Sequence, residues 1–188
     1  ISIMNKFKNI KNIINEEIKV FLKDIYYIFF KRKLKQVHET YKFSDENLKY
    51  THILEAINYL RVAGNYGDLI PKTVFEFGCH SGRTFVASIN SANYLNFQGV
   101  QFFAFDSFQG LPNTNSKFDG VFKKGSFKTV LKNFTKIIKK NTYYKLPAEN
   151  IHNGFYKDTL TKKLQKKLPK VGMVHIDVDL YSSTCEVP

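Results

Sequence analysis

From residue 10 to about residue 30, apolar side chains return every three or four positions, at Ile10, Ile13, Ile14, Ile18, Phe21, Leu22, Ile25 and Phe29. Lys11, Lys19 and Lys23 fall between them, and the pattern predicts an amphipathic helix. Its densest apolar run, "IYYIFF", is too short to cross a bilayer. Two destinations fit its apolar face. It packs on its own domain or on a second copy in a homo-oligomer, or residues 10–33 lie on an anionic membrane surface as basic amphipathic helices do. A second helix is predicted over "SDENLKYTHILEAINYLRVAG", with Ser44 as N-cap, Asn47 at the third helical position and Gly64 near its end. "NYGDLIPK" then reads as a loop.

Beyond that loop, short apolar runs alternate with helical stretches. "TVFEFG" predicts a strand, "RTFVASINSANYL" a helix and "VQFFAFD" a strand. "FKTVLKNFTKIIKK" predicts a helix, "TYYKLPA" a weaker strand, "FYKDTLTKKLQKK" a helix and "VGMVHIDVD" a final strand. Strands separated by helices call for right-handed crossovers and a parallel sheet. The expected fold is therefore α/β, a Rossmann-like parallel sheet flanked by helices. An N-terminal helical extension (residues 1–43) precedes the domain (residues 44–188). Ligands in such sheets bind beyond the carboxyl ends of the strands.

Composition narrows the function. Hydrophobic residues make up 43% of 188, including 18 Phe and 11 Tyr, enough for a substantial core. The net charge of +13 would fit nucleic acid or an anionic surface, but lysines are scattered through nearly every polar stretch and no nucleic-acid module is visible. No nucleic-acid partner is expected. Cys79 and Cys185 are far apart and lack a CxxC partner, which disfavours a disulfide framework or a zinc site and points to a reducing cytoplasm. The N-terminus lacks the compact apolar core of a signal peptide. The first residue is Ile and no tail follows Pro188, so a fragment of a longer protein is expected.

"VFEFGCHSGRTF" follows one strand and opens a helix, spaced Glu76-x-Gly78-x-x-x-Gly82-x-Thr84. Glycines there permit a tight turn and close backbone approach of a ligand, beside free N–H groups of the helix end. The spacing is neither GxGxxG nor GK[ST], which disfavours an NAD-linked enzyme. An acidic Glu76 before the first glycine would repel a pyrophosphate and attract an ammonium group. Read alone, the stretch fits a plain βα turn equally well. The next strand ends in Asp106, 28 residues after Gly78, where an acidic side chain can accept both hydroxyls of a ribose. The competing reading of Asp106 is a cap for the turn at Ser107.

"FEFGCHSGRTF", "FAFDSFQGLP", "NGFYKDTL" and "VHIDVDLYSST" occur in an order that resembles class I S-adenosylmethionine-dependent methyltransferases. They are most similar to the macrocin O-methyltransferase (TylF-type) branch, from about residue 54 to the end. The resemblance implies S-adenosyl-L-methionine as cofactor, bound by a loop of Glu76, Gly78, Cys79, Ser81, Gly82 and Thr84. It implies Asp106 at the ribose, Ser107 beside the adenosine, and Asn153 and Gly154 near the adenine; Phe155 reads equally as a core aromatic. It further implies transfer of a methyl group to a hydroxyl, of a sugar or glycoside, with Mg²⁺ held in part by Asp177. The family's further ligands come from a "DDY"-like pair on a following strand, and this sequence contains no such pair. Asp177 is the expected metal ligand and catalytic base, with Asp179 in support.

Asp177 and Asp179, two positions apart, would share one face of a continuing strand. A bend at the strand's end would instead leave one of them to cap the turn. His175 reads as a core histidine or as a residue orienting a ligand, and Tyr181 as packing or as pocket wall. Residues 113–127, polar and glycine-containing, read as a lid over the acceptor or as an ordinary surface loop. The alternative function is a cofactor-binding interaction module without turnover, membrane-attached through its N-terminal helix.

Overall fold

The computed structural model describes residues 48–65, 70–113, 118–119 and 122–187. The extension over residues 1–43, its predicted helix and membrane-contact segment, and the Ser44 cap lie outside the described residues. Helix α1 (Leu48–Asn65) leads into β1 (Thr73–Phe77), α2 (Arg83–Tyr94) and β2 (Gln101–Asp106). Helix α3 (Leu131–Asn141) and a 3₁₀ turn (Ala148–Asn150) precede β3 (Ile151–Asn153). Two short helices, α4 (Tyr156–Thr159) and α5 (Lys162–Gln165), lead to β4 (Met173–Ile176) and α6 (Tyr181–Glu186).

The strands form one sheet in the order β3-β2-β1-β4, and every pairing is parallel. This is the expected Rossmann-like α/β arrangement. Alternation along the strands sorts the core into two layers. Val74, Phe102 and Ala104 face the side covered by Ile53, Ile57 and Leu60 of α1, Phe85 and Ile89 of α2, and Phe134 and Ile138 of α3. Phe75, Phe77, Phe103 and Phe105 face the other side, under Tyr156, Leu160 and Leu164. Phe77 and Phe105 stack with ring centroids 4.4 Å apart. Among the described residues, no helix is long and apolar enough to cross a membrane.

The structure corrects three expected elements. "TYYKLPA" is not a strand; the third strand is the following "IHN". Side chains take the backbone groups that a strand there would need. The Phe102 N–H donates to the Tyr144 hydroxyl at 3.4 Å, and the Asn150 amide donates to the Phe102 carbonyl at 3.1 Å. Pairing to β2 begins only at Ala104, opposite Ile151. "FYKDTLTKKLQKK" is two helices, not one. Thr161 is extended and its hydroxyl accepts the Leu164 N–H at 3.2 Å, so the side chain starts a new helix where the periodic pattern would continue the old one. Helix α3 likewise starts at Leu131, after Phe127 has taken a left-handed φ of 56°.

Strand order fixes where a ligand belongs. From β1 the chain proceeds outward through β2 and β3, then returns to place β4 on the opposite side of β1. The carboxyl ends of β1 and β4 therefore flank the topological switch point, the crevice that binds ligands in open α/β sheets.

Candidate functional site

A cavity of about 330 Å³ opens at that switch point. Its wall includes Gly78 just after β1, Asp106 at the end of β2 and Ser107 after it, Gly154 after β3, and Asp177, Val178 and Asp179 after β4. Four chain stretches remote in sequence meet there because the parallel sheet aligns all their carboxyl ends.

Asp106 is fixed by the turns around it. One carboxylate oxygen accepts the His80 N–H at 2.7 Å and the other accepts the Phe108 N–H at 2.6 Å. Each oxygen keeps a further lone pair for a ligand. The capping and ribose readings of this residue are thus compatible. Ser107 is used locally: its hydroxyl donates to the Gly110 carbonyl at 3.1 Å and accepts the Gln109 N–H at 3.1 Å.

The loop after β1 divides into a surface and an underside. Gly78 and His80 line the cavity. Glu76, Cys79, Gly82 and Thr84 lie beneath it and do not line it, and neither Ser81 nor Asn153 is part of its wall. Gly82 packs on α3, where a Cβ would come within 2.9 Å of the Phe134 ring. Burial pushes the Cys79 thiol far up, helped by the charges of Glu76 and Asp106, so at neutral pH it is a protonated core side chain. The thiol donates to the Glu76 carbonyl at 3.3 Å.

Glu76 is 0% exposed because its strand parity is that of Val74, toward the helices α1–α3. One carboxyl oxygen accepts the Thr84 hydroxyl at 2.6 Å, and the other stands 3.4 Å from Nδ1 of His175 on the neighbouring strand. His175 is not part of the cavity wall; it packs beside Glu76 on the helix side of the sheet, below the site. Burial raises the Glu76 carboxyl, and the His175 and Thr84 contacts oppose that rise. A carboxyl raised from its ordinary 4.5 binds more protons folded than unfolded above that pH. Its contribution therefore falls as pH rises from 4.5 through the raised folded value. Urea denaturation across pH should show the wild-type chain losing stability relative to Glu76→Gln over that window. A constant difference between the two proteins would show that Glu76 ionises as readily folded as unfolded.

Strand β4 ends at Ile176, and the bend after it lets Asp177, Val178 and Asp179 all reach the cavity. The Asp177 N–H donates to the Phe77 carbonyl at 2.8 Å, keeping this bend against the end of β1. Tyr156 sits under the same region with its hydroxyl donating to the Phe105 carbonyl at 3.3 Å, and burial pushes its phenol up strongly. It is thus no base at neutral pH. Among the described residues, no group of three or more His, Cys, Asp or Glu side chains is arranged to hold a metal ion.

Sequence reading did not single out Gly110, Leu111, Phe127, Lys157, Ser182, Ser183 or Glu186, which also line the cavity. "FQGLP" and "YSST" stood in the motifs that carried the resemblance, and their polar and glycine residues were the available signal. Asp119 was also missed. It is 1% exposed, and its carboxylate accepts the Tyr181 N–H at 2.8 Å, capping α6 from the segment after β2. Phe118 packs on Tyr181 at 5.2 Å. Residues 118–119 are therefore pinned to the start of α6, the helix that carries Ser182 and Ser183.

Compared with known proteins, the family model for macrocin-O-methyltransferase (TylF) matches residues 47–187. Among solved structures, the O-methyltransferase NovP is 20% identical over 73% of this chain and 56% of its own, with a TM-score of 0.58. The calicheamicin methyltransferase CalS11 is 17% identical over 82% of this chain and 70% of its own, with a TM-score of 0.55. These likenesses establish the fold. The chain spans 56% of the length of NovP. No curated protein sequence matches it.

Proposed function

Because the chain belongs to the macrocin-O-methyltransferase (TylF) family, we propose that it serves S-adenosylmethionine-dependent methyl transfer to a hydroxyl of a sugar or glycoside. One observation carries the reading. Asp106, Gly78 and Asp177, from the ends of three adjacent parallel strands, line a single cavity. They offer a ribose acceptor, a bare backbone wall and a base to one ligand pair.

When bound, S-adenosylmethionine supplies a methyl group on a positively charged sulfur, which leaves as a neutral thioether. The residues fit it: Asp106 is oriented by two backbone N–H groups, and Gly78 presents no side chain to the cavity. Asp106 would take the ribose hydroxyls and Gly154 would lie by the adenine. The protein's larger task is to align the acceptor oxygen and remove its proton, since a sugar hydroxyl is a poor nucleophile. Asp177 would accept that proton as the oxygen attacks the methyl carbon. Asp179, Ser182 and Ser183 would hold neighbouring hydroxyls. Mg²⁺, implied by the family resemblance, would be held by Asp177 with Asp179 beside it, and would supply a lowered pKa for the acceptor hydroxyl.

Calorimetry with S-adenosylmethionine and with NAD tests the cofactor, and production of S-adenosylhomocysteine in the presence of methyl glycosides tests turnover. Binding of S-adenosylmethionine alone is expected. NAD bound in its place would sink the proposal, and cofactor binding with no transfer to any hydroxyl would favour the non-catalytic module.

A further inference from the structure

Phe127 is in an unfavourable position on two counts. Its φ of 56° lies in the left-handed region, which costs a bulky side chain energy, and its ring is 54% exposed. Phe108 shares the left-handed φ but is buried against Phe134 at 5.1 Å, so packing offsets its strain. For Phe127 the ring contact is with Phe122, 6.1 Å away and itself exposed. Phe127 nevertheless lines the cavity, as do Leu111 and Asn113.

The strained turn is held from the motif strand end. Leu111 N–H donates to the Ser126 carbonyl and Gly125 N–H donates to the Leu111 carbonyl, both at 2.9 Å. Gly110 is what lets the two segments close. A Cβ there would come within 2.6 Å of the Ser126 carbonyl oxygen and 2.7 Å of that of Gly125. "FDSFQGLP" therefore does more than end β2: its glycine and leucine fix the backbone that turns Phe127 toward the cavity. Asp119 and Phe118 tie the same segment to α6, which carries Ser182, Ser183 and Glu186.

We propose that Phe127, backed by Phe122, is the platform on which the acceptor sugar lies, a pyranose stacking its apolar C–H face on the exposed ring. This rests on reading the cavity as the methyl-transfer site. The chemistry of the wall selects the ligand class. One aromatic face is combined with the oxygen-bearing side chains of Asp179, Ser182, Ser183 and Glu186, which suits a ring with one apolar face and several hydroxyls. An aromatic clamp on a flat acceptor would need a second ring across the cavity, and the wall's other aromatics, Phe155 and Tyr156, come from the stretch after β3 on the cofactor side.

Phe127→Asn is the decisive variant, because Asn adopts the left-handed region readily while removing the ring. Its thermal midpoint should equal or exceed that of wild type. Saturation-transfer NMR with methyl α-D-glucopyranoside, methyl β-D-galactopyranoside and methyl α-L-rhamnopyranoside, in the presence of S-adenosylmethionine, should show binding to wild type. At least a tenfold loss is expected in Phe127→Asn. The chain has no tryptophan, so Phe127→Trp should keep binding and report it by a fluorescence change on addition of the same glycosides. Calorimetric affinity for S-adenosylmethionine should be the same in all three proteins. Equal pyranoside binding by wild type and Phe127→Asn overturns the platform, as does wild type that binds none of the glycosides. Loss of S-adenosylmethionine affinity in Phe127→Asn would instead make the ring a cofactor contact. Failure of wild type to bind S-adenosylmethionine at all would be the failure of the underlying methyltransferase reading.

Discussion

Asp177→Asn is expected to lower methyl transfer by about 10²- to 10⁴-fold, the range typical for removing a positioned general base. Affinity for S-adenosylmethionine should stay within about twofold, measured by calorimetry on the same preparation. The expectation follows from position. Asp177 lines the cavity where β4 ends, while Asp106 and Gly154, the proposed adenosine contacts, lie at the ends of β2 and β3. Asn has nearly the same shape, keeps the backbone N–H bond to Phe77 and cannot accept the acceptor's proton. The defect should therefore lie in kcat, with the fold and the cofactor site retained. Loss of cofactor binding in place of turnover would put Asp177 in the wrong half of the cavity. Turnover that survives would transfer the base role to Asp179, the neighbouring carboxylate on the wall.

Gly78→Ala is expected to be strongly destabilising. Gly78 has φ 87°, and a Cβ there would penetrate the carbonyl oxygen of Asp177 and stand 2.7 Å from its carbonyl carbon. The obstacle is backbone, held against the end of β1 by the Asp177 N–H bond to the Phe77 carbonyl, so no rotamer change relieves it. The left-handed φ costs an alanine about 1–2 kcal/mol, and forcing the strands apart adds roughly 1–3 kcal/mol. Against a total stability of about 5–15 kcal/mol this is severe. A fall of roughly 10 °C in thermal midpoint is expected for a domain of this size. Any folded fraction should have Asp177 displaced and transfer impaired. A wild-type midpoint and wild-type turnover in Gly78→Ala would show that the ends of β1 and β4 do not approach this closely.

The motif glycines show how far sequence reading went. "FGCHSG" predicted a loop at a strand's carboxyl end with glycines where a ligand could come close, and Gly78 does line the cavity. Its steric need, however, comes from Asp177, and Gly82 answers to Phe134 on α3. Glu76 was read as a ligand for an ammonium group; the structure gives it Thr84 and His175 as partners, buried under the loop. Local spacing shows that a residue is special, but not which distant segment makes it so.

Periodicity, turn residues and charge act over a few neighbours, and on those grounds the sequence by itself determined the alternation of strands and helices, the parallel α/β class and the carboxylates at strand ends. It misjudged "TYYKLPA" and the helix after Phe155 because side chains of Tyr144, Asn150 and Thr161 took up backbone hydrogen bonds that a propensity pattern assigns to regular structure. The tertiary structure alone decided the contacts between Gly78 and Asp177, between Glu76 and His175, and between Asp119 and the start of α6. Each joins segments far apart along the chain, and each exists because β4 returns to the free side of β1. Strand order is a property of the whole packed sheet, set by how its two apolar faces are covered, and no local run of residues encodes it.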